Sequence, residues 1–389
     1  MTMKSIVSAC ILGGALLLAG CSAAYRVEVS NPLPVDRIGE IAGFDAALAG
    51  DLSRKDFVIV GEDGAEVPYQ KTHDGQIIFP ATVKASSSVV YTLKKGIPTP
   101  VDTVAYGRMF PERKDDIAWE NDRCAFRTYG PALVASGQHA FGYDAFTKSA
   151  THPILEDWYY TSVFQKKSIH HDHGTGMDAY EVGPTLGCGA SGFVVDGEIV
   201  HQWGYQTYEI LDQGPLRVSF MLNCYPKQVG ADTVVEHRLI TLDAGTHLNR
   251  ARLSWTGLSA KAEIIAGVVV HKDNPDEYTI DTSAGTVAYA DPMTLRWKPE
   301  GKQFTGAVFP AGVPVAFRPL TPSEDEAVKD GATGHLAGTV SVNPGDTFTY
   351  MFGTAWSKVH FKDLAEWDAY LHSAREKADN PLAITVTKK

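Results

Sequence analysis

Residues 192–201 read Gly-Phe-Val-Val-Asp-Gly-Glu-Ile-Val-His. Two short runs of β-branched and aromatic residues flank Asp196-Gly197, a dipeptide that accepts positive φ at both turn positions. The decapeptide is therefore expected to form a tight β-hairpin. The same pattern spreads outward. Downstream lie Thr207–Leu211, Leu216–Leu222, Val234–Leu242, Leu248–Trp255, Glu263–His271, Gly285–Ala290, Gly338–Val342 and Thr347–Phe352. So many strand-like segments in succession predict large antiparallel sheets packed face to face.

Upstream, Tyr25–Val29, Phe57–Val60, Ala65–Gln70, Ile77–Phe79 and Ser88–Leu93 are short strands separated by turn residues, with Gly61–Gly64 and His73–Gln76 as turns. This reads as a smaller N-terminal β-sandwich portion. Pro98 and Pro100 mark a linker, so the expected division is 21–101 for that portion and 102–389 for the large unit. One helix is predicted. Phe361, Leu364, Trp367, Tyr370, Leu371 and Ala374 recur at helical spacing between about Lys362 and Ala378. Pro381–Val386 then returns as a strand. The fold class is all-β: a large, supersandwich-like antiparallel β-sandwich with a smaller N-terminal sandwich and one C-terminal helix.

The first residues read as a leader. Lys4 precedes an apolar run from Ile6 to Leu18, and Leu18-Ala19-Gly20-Cys21 resembles a bacterial lipobox. Removal of residues 1–20 and lipidation of Cys21 would leave a protein anchored to the outer membrane, facing the periplasm or the cell exterior. The apolar run is too short for a span of roughly 20 residues. Losing Lys4 moves the net charge from −11 to −12. With no basic stripe, nucleic acid is excluded as a partner. Cys124, Cys188 and Cys224 remain, an odd number with no metal-binding spacing, and read mostly as small buried hydrophobes with room for one disulfide.

Chemistry concentrates between Ser168 and Ser191. His170, His171 and His173 fall within four residues, and Asp172, Asp178, Tyr180 and Glu181 stand close by on glycine-rich chain. Groups able to titrate near neutral pH, on permissive backbone, suit an active-site loop. His170, His173 and Asp178 can also be read as ligands for Zn²⁺, with His201, His237 or His271 arriving from other strands. A Ca²⁺ ion on the carboxylates is the other metal alternative, although HxxH outside a helical frame is a weak signal and no calcium loop is present. A second polar stretch, Glu112–Leu133, carries Asn121, Arg123 and Arg127. Taken as one strand, it puts these three on a single face suited to an anionic group. Trp158, Tyr159 and Tyr160 precede the histidine loop and offer faces for a sugar ring, with core packing as the alternative for each.

Trp119–Arg123 with Tyr129-Gly130-Pro131, His170, Asp172–Gly176, Leu242–Gly245 and Gly353–Ser357 together resemble the DUF4861 family, found on surface lipoproteins and periplasmic proteins of polysaccharide-degrading Bacteroidota. A family member from ulvan degradation is an oligosaccharide dehydratase. The resemblance therefore implies dehydration of a non-reducing-end glucuronate to a 4,5-unsaturated uronyl end.

The roles are assigned on chemical grounds. Removing the proton beside a carboxylate requires that carboxylate to be neutralised, a base for the proton and an acid for the departing hydroxyl. Asn121, Arg123 and Arg127 are the candidate clamp. His170 or His173 is the candidate base, Tyr160 and then Tyr129 the acid. Asp172 would orient a histidine, and Trp158 would contact the sugar. The same parts serve a polysaccharide lyase. Paired carboxylates among Asp172, Asp178 and Glu181 would serve a glycoside hydrolase. A non-catalytic glycan-binding surface lipoprotein is the remaining reading.

Overall fold

The structure, a computed structural model, describes residues 24–293, 301–329 and 331–389. The leader and Cys21 lie outside them. Among the described residues no helix is long and apolar enough to cross a membrane.

The hairpin at 192–201 is present. Cys188–Val195 pairs antiparallel with Glu198–His201, and Val195 faces Glu198. Asp196 and Gly197 form the two-residue turn with φ of 51° and 85°, the left-handed pair that fits the strand twist. In this sheet the order is Glu198–His201, Cys188–Val195, Ala262–His271, Ala332–Val342, Val315–Pro319.

A second five-stranded sheet runs Gly176–Met177, Asp144–Lys148, Ala125–Thr128, Asp116–Glu120, Tyr106–Phe110. Both cover a nine-stranded sheet that includes Arg217–Cys224, Asp232–Asp243, Leu248–Thr256 and Thr347–Trp356. Side chains from all three sheets form one core, with Trp119, Phe193, Phe220, Val268 and Phe352 fully buried. Trp119 meets Phe220 edge to face at 4.9 Å, and its indole N–H donates to Asn249 at 2.7 Å. The all-β reading holds: antiparallel sheets dominate and helices are few.

The N-terminal unit packs a five-stranded sheet on a three-stranded one. Val27, Phe57, Ile59, Phe79 and Leu93 lie in its core. Its strands include Arg37–Asp45, absent from the sequence reading because no clean alternation marks it. The C-terminal helix is Leu364–Asp379, capped by Asp363 accepting from the Glu366 N–H, and it buries Trp367 and Leu371. The last strand, Ala383–Lys388, pairs with Ala24–Ser30. The span 102–389, expected as one unit, therefore gives up its final strand to the N-terminal sheet. A helix beyond the one expected is present, and one expectation of continuous β structure changes. Leu155–Val163 is a helix. The Asn121 to Arg127 stretch is no single strand: Asp116–Glu120 and Ala125–Thr128 form a hairpin whose turn contains Asn121–Cys124.

Candidate functional site

Strand register brings the first charges together. Arg127 lies directly across from Asp144 in the pairing of Ala125–Thr128 with Asp144–Lys148, and its guanidinium is ion-paired with that carboxylate. Asp178 enters just after the short strand Gly176–Met177, which pairs with Thr147 and Lys148. Its Oδ2 stands 3.1 Å from Arg127 Nη2. Asp116 approaches from the other side, 3.8 Å from Arg127 Nε and 3.7 Å from Arg113 Nη1. The Tyr129 hydroxyl donates to Asp144 at 3.0 Å.

This cluster is buried and under-satisfied. Both Asp116 carboxylate oxygens, Asp178 Oδ1, two guanidinium nitrogens of Arg127 and the hydroxyls of Tyr159 and Tyr180 have no hydrogen-bond partner. Native interiors leave few such groups, so seven orphaned atoms in one neighbourhood mark a place selected for something besides packing. Three carboxylates also outnumber the one fully buried cation. Burial pushes Asp116 up to about 6 against the pull of Arg127 and Arg113. Burial raises Asp144 as well, outweighing Arg127, with Asp178 adding to the rise. Burial, then the Asp144 charge, hold the Tyr129 phenol protonated far into the alkaline range. The cluster is thus built to retain protons close to neutrality.

The backbone is strained where Asp116 enters it. Lys114 and Asp115 both take left-handed φ, 54° and 60°, a cost of about 1–3 kcal/mol each that concentrates at functional sites. The turn is held by Tyr205, whose hydroxyl donates to the Asp115 carbonyl at 2.5 Å. Gly130 is required here, because a Cβ would overlap that same carbonyl.

At the edge of the cluster stands His170. Its Nδ1 is 2.8 Å from the Asp178 carbonyl oxygen and 3.8 Å from Asp178 Oδ2. A carbonyl can only accept, so Nδ1 carries a proton, and Nε2 is the nitrogen that holds the lone pair in the neutral ring. The side chain is 47% exposed. His173 Nε2 instead meets the Ser168 carbonyl at 2.9 Å. Asp172 is not bonded to His170 or His173. Its Oδ1 accepts from the Gly174 and Gly176 N–H groups and its Oδ2 pairs with Lys358 at 2.7 Å, so it shapes the loop.

The expected roles of Asn121 and Arg127 are corrected by their surroundings. Asn121 is fully buried, donates to the Asp243 and Thr246 carbonyls, and accepts from the Arg123 and Cys124 N–H groups. It pins the hairpin turn and has no capacity left for a ligand. Arg127 is committed to protein carboxylates and cannot serve as a free clamp. Arg123 pairs with Asp122 at 3.3 Å, beside His360, which burial and then the Arg123 charge hold down at about 4. Trp158 is buried against Phe146 and donates to Thr175 at 3.0 Å. Tyr160 is 55% exposed and lies against Phe164. The structure therefore gathers His170, Asp178, Arg127 and Tyr129, and leaves Asn121, Arg123, Trp158 and Tyr160 outside that group.

Sequence reasoning missed the roles of Asp116 and Asp144. The available signal was an acid at the head of a buried strand: Asp144 opens Asp-Ala-Phe-Thr-Lys, every residue of which is buried. His170, His173 and Asp178 do not converge as a ligand set, and among the described residues no group of three or more His, Cys, Asp or Glu is arranged to hold a metal ion. His271 is held by Asp291 at 2.5 Å and by the Glu181 carbonyl at 2.8 Å. Cys124, Cys188 and Cys224 are buried and free.

Residues 29–384 match the family described as Domain of unknown function (DUF4861), and the chain belongs to it. It is similar to Uncharacterized protein P7 of Formosa agariphila, 27% identical over 414 residues that cover 99% of this chain and all of that one. Two solved structures from Enterococcus faecalis share its fold. One is a protein in the Glycosyl Hydrolase Family 38, with TM-score 0.50, 9% identity, and coverage of 94% of this chain and 47% of that one. The other is an alpha-mannosidase, with TM-score 0.50, 10% identity, and coverage of 94% and 46%. The chain spans about half the length of each.

Proposed function

We propose that this DUF4861 protein is a carbohydrate-active enzyme that dehydrates a non-reducing-end glucuronate of an oligosaccharide, leaving a 4,5-unsaturated uronyl end. Membership of the family and a fold shared with glycosidases support the carbohydrate class. The observation that carries the reaction is the fixed tautomer of His170, with Nδ1–H given to the Asp178 carbonyl and Nε2 left as an oriented base at a part-exposed position.

In this reading His170 Nε2 takes the C5 proton and the 4-hydroxyl leaves as water, protonated by Tyr160. Arg113 is the proposed carboxylate clamp, because it joins a part-exposed guanidinium to the buried cluster through Asp116. The Arg127 cluster anchors Asp178, and through it the imidazole. The lipid anchor on Cys21 and the outer-membrane location belong to the same proposal. Hydrolysis is the second reading, favoured by Asp116 holding a proton up to about pH 6.

The test is to incubate the native protein with glucuronate-ended oligosaccharides and follow ultraviolet absorbance of the unsaturated uronate together with product mass. Elimination gives new absorbance with loss of one water from an uncut chain. New reducing ends without absorbance would replace it with hydrolysis. His170→Ala abolishes the absorbance signal if the base is correctly named, and Tyr160→Phe slows it.

A further inference from the structure

Next to the cluster lies an aromatic surface that the reaction chemistry does not use. His139 is exposed, and Phe141 and Trp203 are partly exposed. They come from two separate connections, 137–143 and 202–204. Their rings meet at centroid separations of 4.8 Å for His139 with Trp203, 5.4 Å for Phe141 with Trp203 and 5.4 Å for His139 with Phe141. His201 continues the row, 5.1 Å from Phe141.

Packing alone does not explain this patch. The Trp203 indole N–H is buried and has no acceptor, and the adjacent Gln202, 1% exposed, has neither amide atom bonded. Buried donors of this kind ordinarily find a partner, and tryptophan in a wall of rings ordinarily uses its N–H as a polar handle. Both arms of the patch also lead into the buried cluster. Phe141 precedes Asp144 by three residues, and its N–H donates to the Gly183 carbonyl on the connection that follows Asp178. Gly204, next to Trp203, packs so closely that a Cβ would lie 3.1 Å from the Tyr129 carbonyl oxygen.

We propose that Phe141 and Trp203, flanked by His139, form a platform on which a pyranose ring of the oligosaccharide stacks beyond its terminal uronate. Apolar walls carrying a few placed donors are the usual construction of a small-molecule site. This deepens the oligosaccharide reading above and rests on it. It assigns the selectivity for chain over single sugar to the platform and leaves the chemistry to His170.

Titration calorimetry on the His170→Ala protein separates the two, since binding is then read without turnover. The probes are glucuronic acid and a panel of glucuronate-ended tetrasaccharides differing in the second sugar. At least one tetrasaccharide is expected to bind more tightly than glucuronic acid. Adding Trp203→Ala is expected to weaken that tetrasaccharide by roughly tenfold or more and to leave glucuronic acid within about twofold. Trp203→Phe, which keeps a smaller ring, is expected to fall between. Equal tetrasaccharide binding with and without Trp203, or no tetrasaccharide binding tighter than glucuronic acid, overturns the platform. Trp203-dependent binding by a native protein that forms no unsaturated product overturns the elimination and leaves the platform standing.

Discussion

His170 and Asp178 are joined twice, once through the Asp178 backbone carbonyl at 2.8 Å and once at 3.8 Å through its carboxylate. The first contact fixes the tautomer. The second ties the ring to the Arg127 cluster.

His170→Ala therefore removes a base without removing packing. Turnover of a glucuronate-ended oligosaccharide is expected to fall by roughly 10²–10⁴. The thermal midpoint should stay close to native, because the side chain is 47% exposed. Steady-state rates and a melting curve on the same preparation check both.

Arg127 is a different case. Replacing it with Met leaves Asp144 and Asp178 without their cation in a buried site. A loss of about 3–5 kcal/mol is expected, typical of breaking a buried pair from one side. Urea unfolding measures it. A variant as stable as native would mean that the carboxylates simply take up protons.

Asp116 gives a pH-dependent prediction. Its folded value is raised to about 6 from 3.8. Its proton contributes stability that is fully present below about pH 4 and is lost as pH rises through 6. At pH 7.5 the ionised side chain thus costs the fold up to about 3 kcal/mol, since each pH unit between the unfolded and folded values corresponds to about 1.4 kcal/mol. Asp116→Asn is expected to stabilise the protein at pH 7.5 and to do little at pH 4. Denaturant curves at the two pH values test the sign.

His271 should be a permanent imidazolium near neutrality. Both ring nitrogens face oxygen acceptors, Asp291 Oδ2 and the Glu181 carbonyl, so both must donate. Burial alone would lower its pKa, but the charge and hydrogen bond of Asp291 outweigh that and raise it. Its stabilising effect is fully present below the ordinary histidine value and is lost as pH rises through the folded value. Nitrogen-15 spectra at pH 7 should show two protonated ring nitrogens for His271, and Asp291→Asn should remove one.

Features set by near neighbours were legible in the sequence. The Asp196-Gly197 hairpin and the helix around Trp367 and Leu371 follow from turn chemistry and a 3.6-residue period, and both are present. The histidine loop was found by composition, and His170 with Asp178 does sit at the charged cluster. What failed depends on register and on distant partners. Asn121 reads like a ligand-binding amide until the chain turns at that point and spends it on the Asp243 and Thr246 carbonyls. Arg127 reads like a free clamp until strand pairing sets Asp144 opposite it. Leu155–Val163 reads only as an aromatic-rich passage, too short for a helical period to stand out, yet Leu155, Trp158 and Tyr159 bury one face of a short helix there.

The pairing of Ala383–Lys388 with Ala24–Ser30 imposes an order of events on synthesis. The neighbour on the other side, Ser88–Lys95, is made early, but the last strand follows it by about 290 residues, on the order of half a minute at ordinary translation rates. For that interval the first strand keeps a raw edge, which another chain could occupy. A molecule lacking Ala383–Lys388 would carry its defect far away in sequence, at Ala24–Ser30, the strand left with one side unpaired.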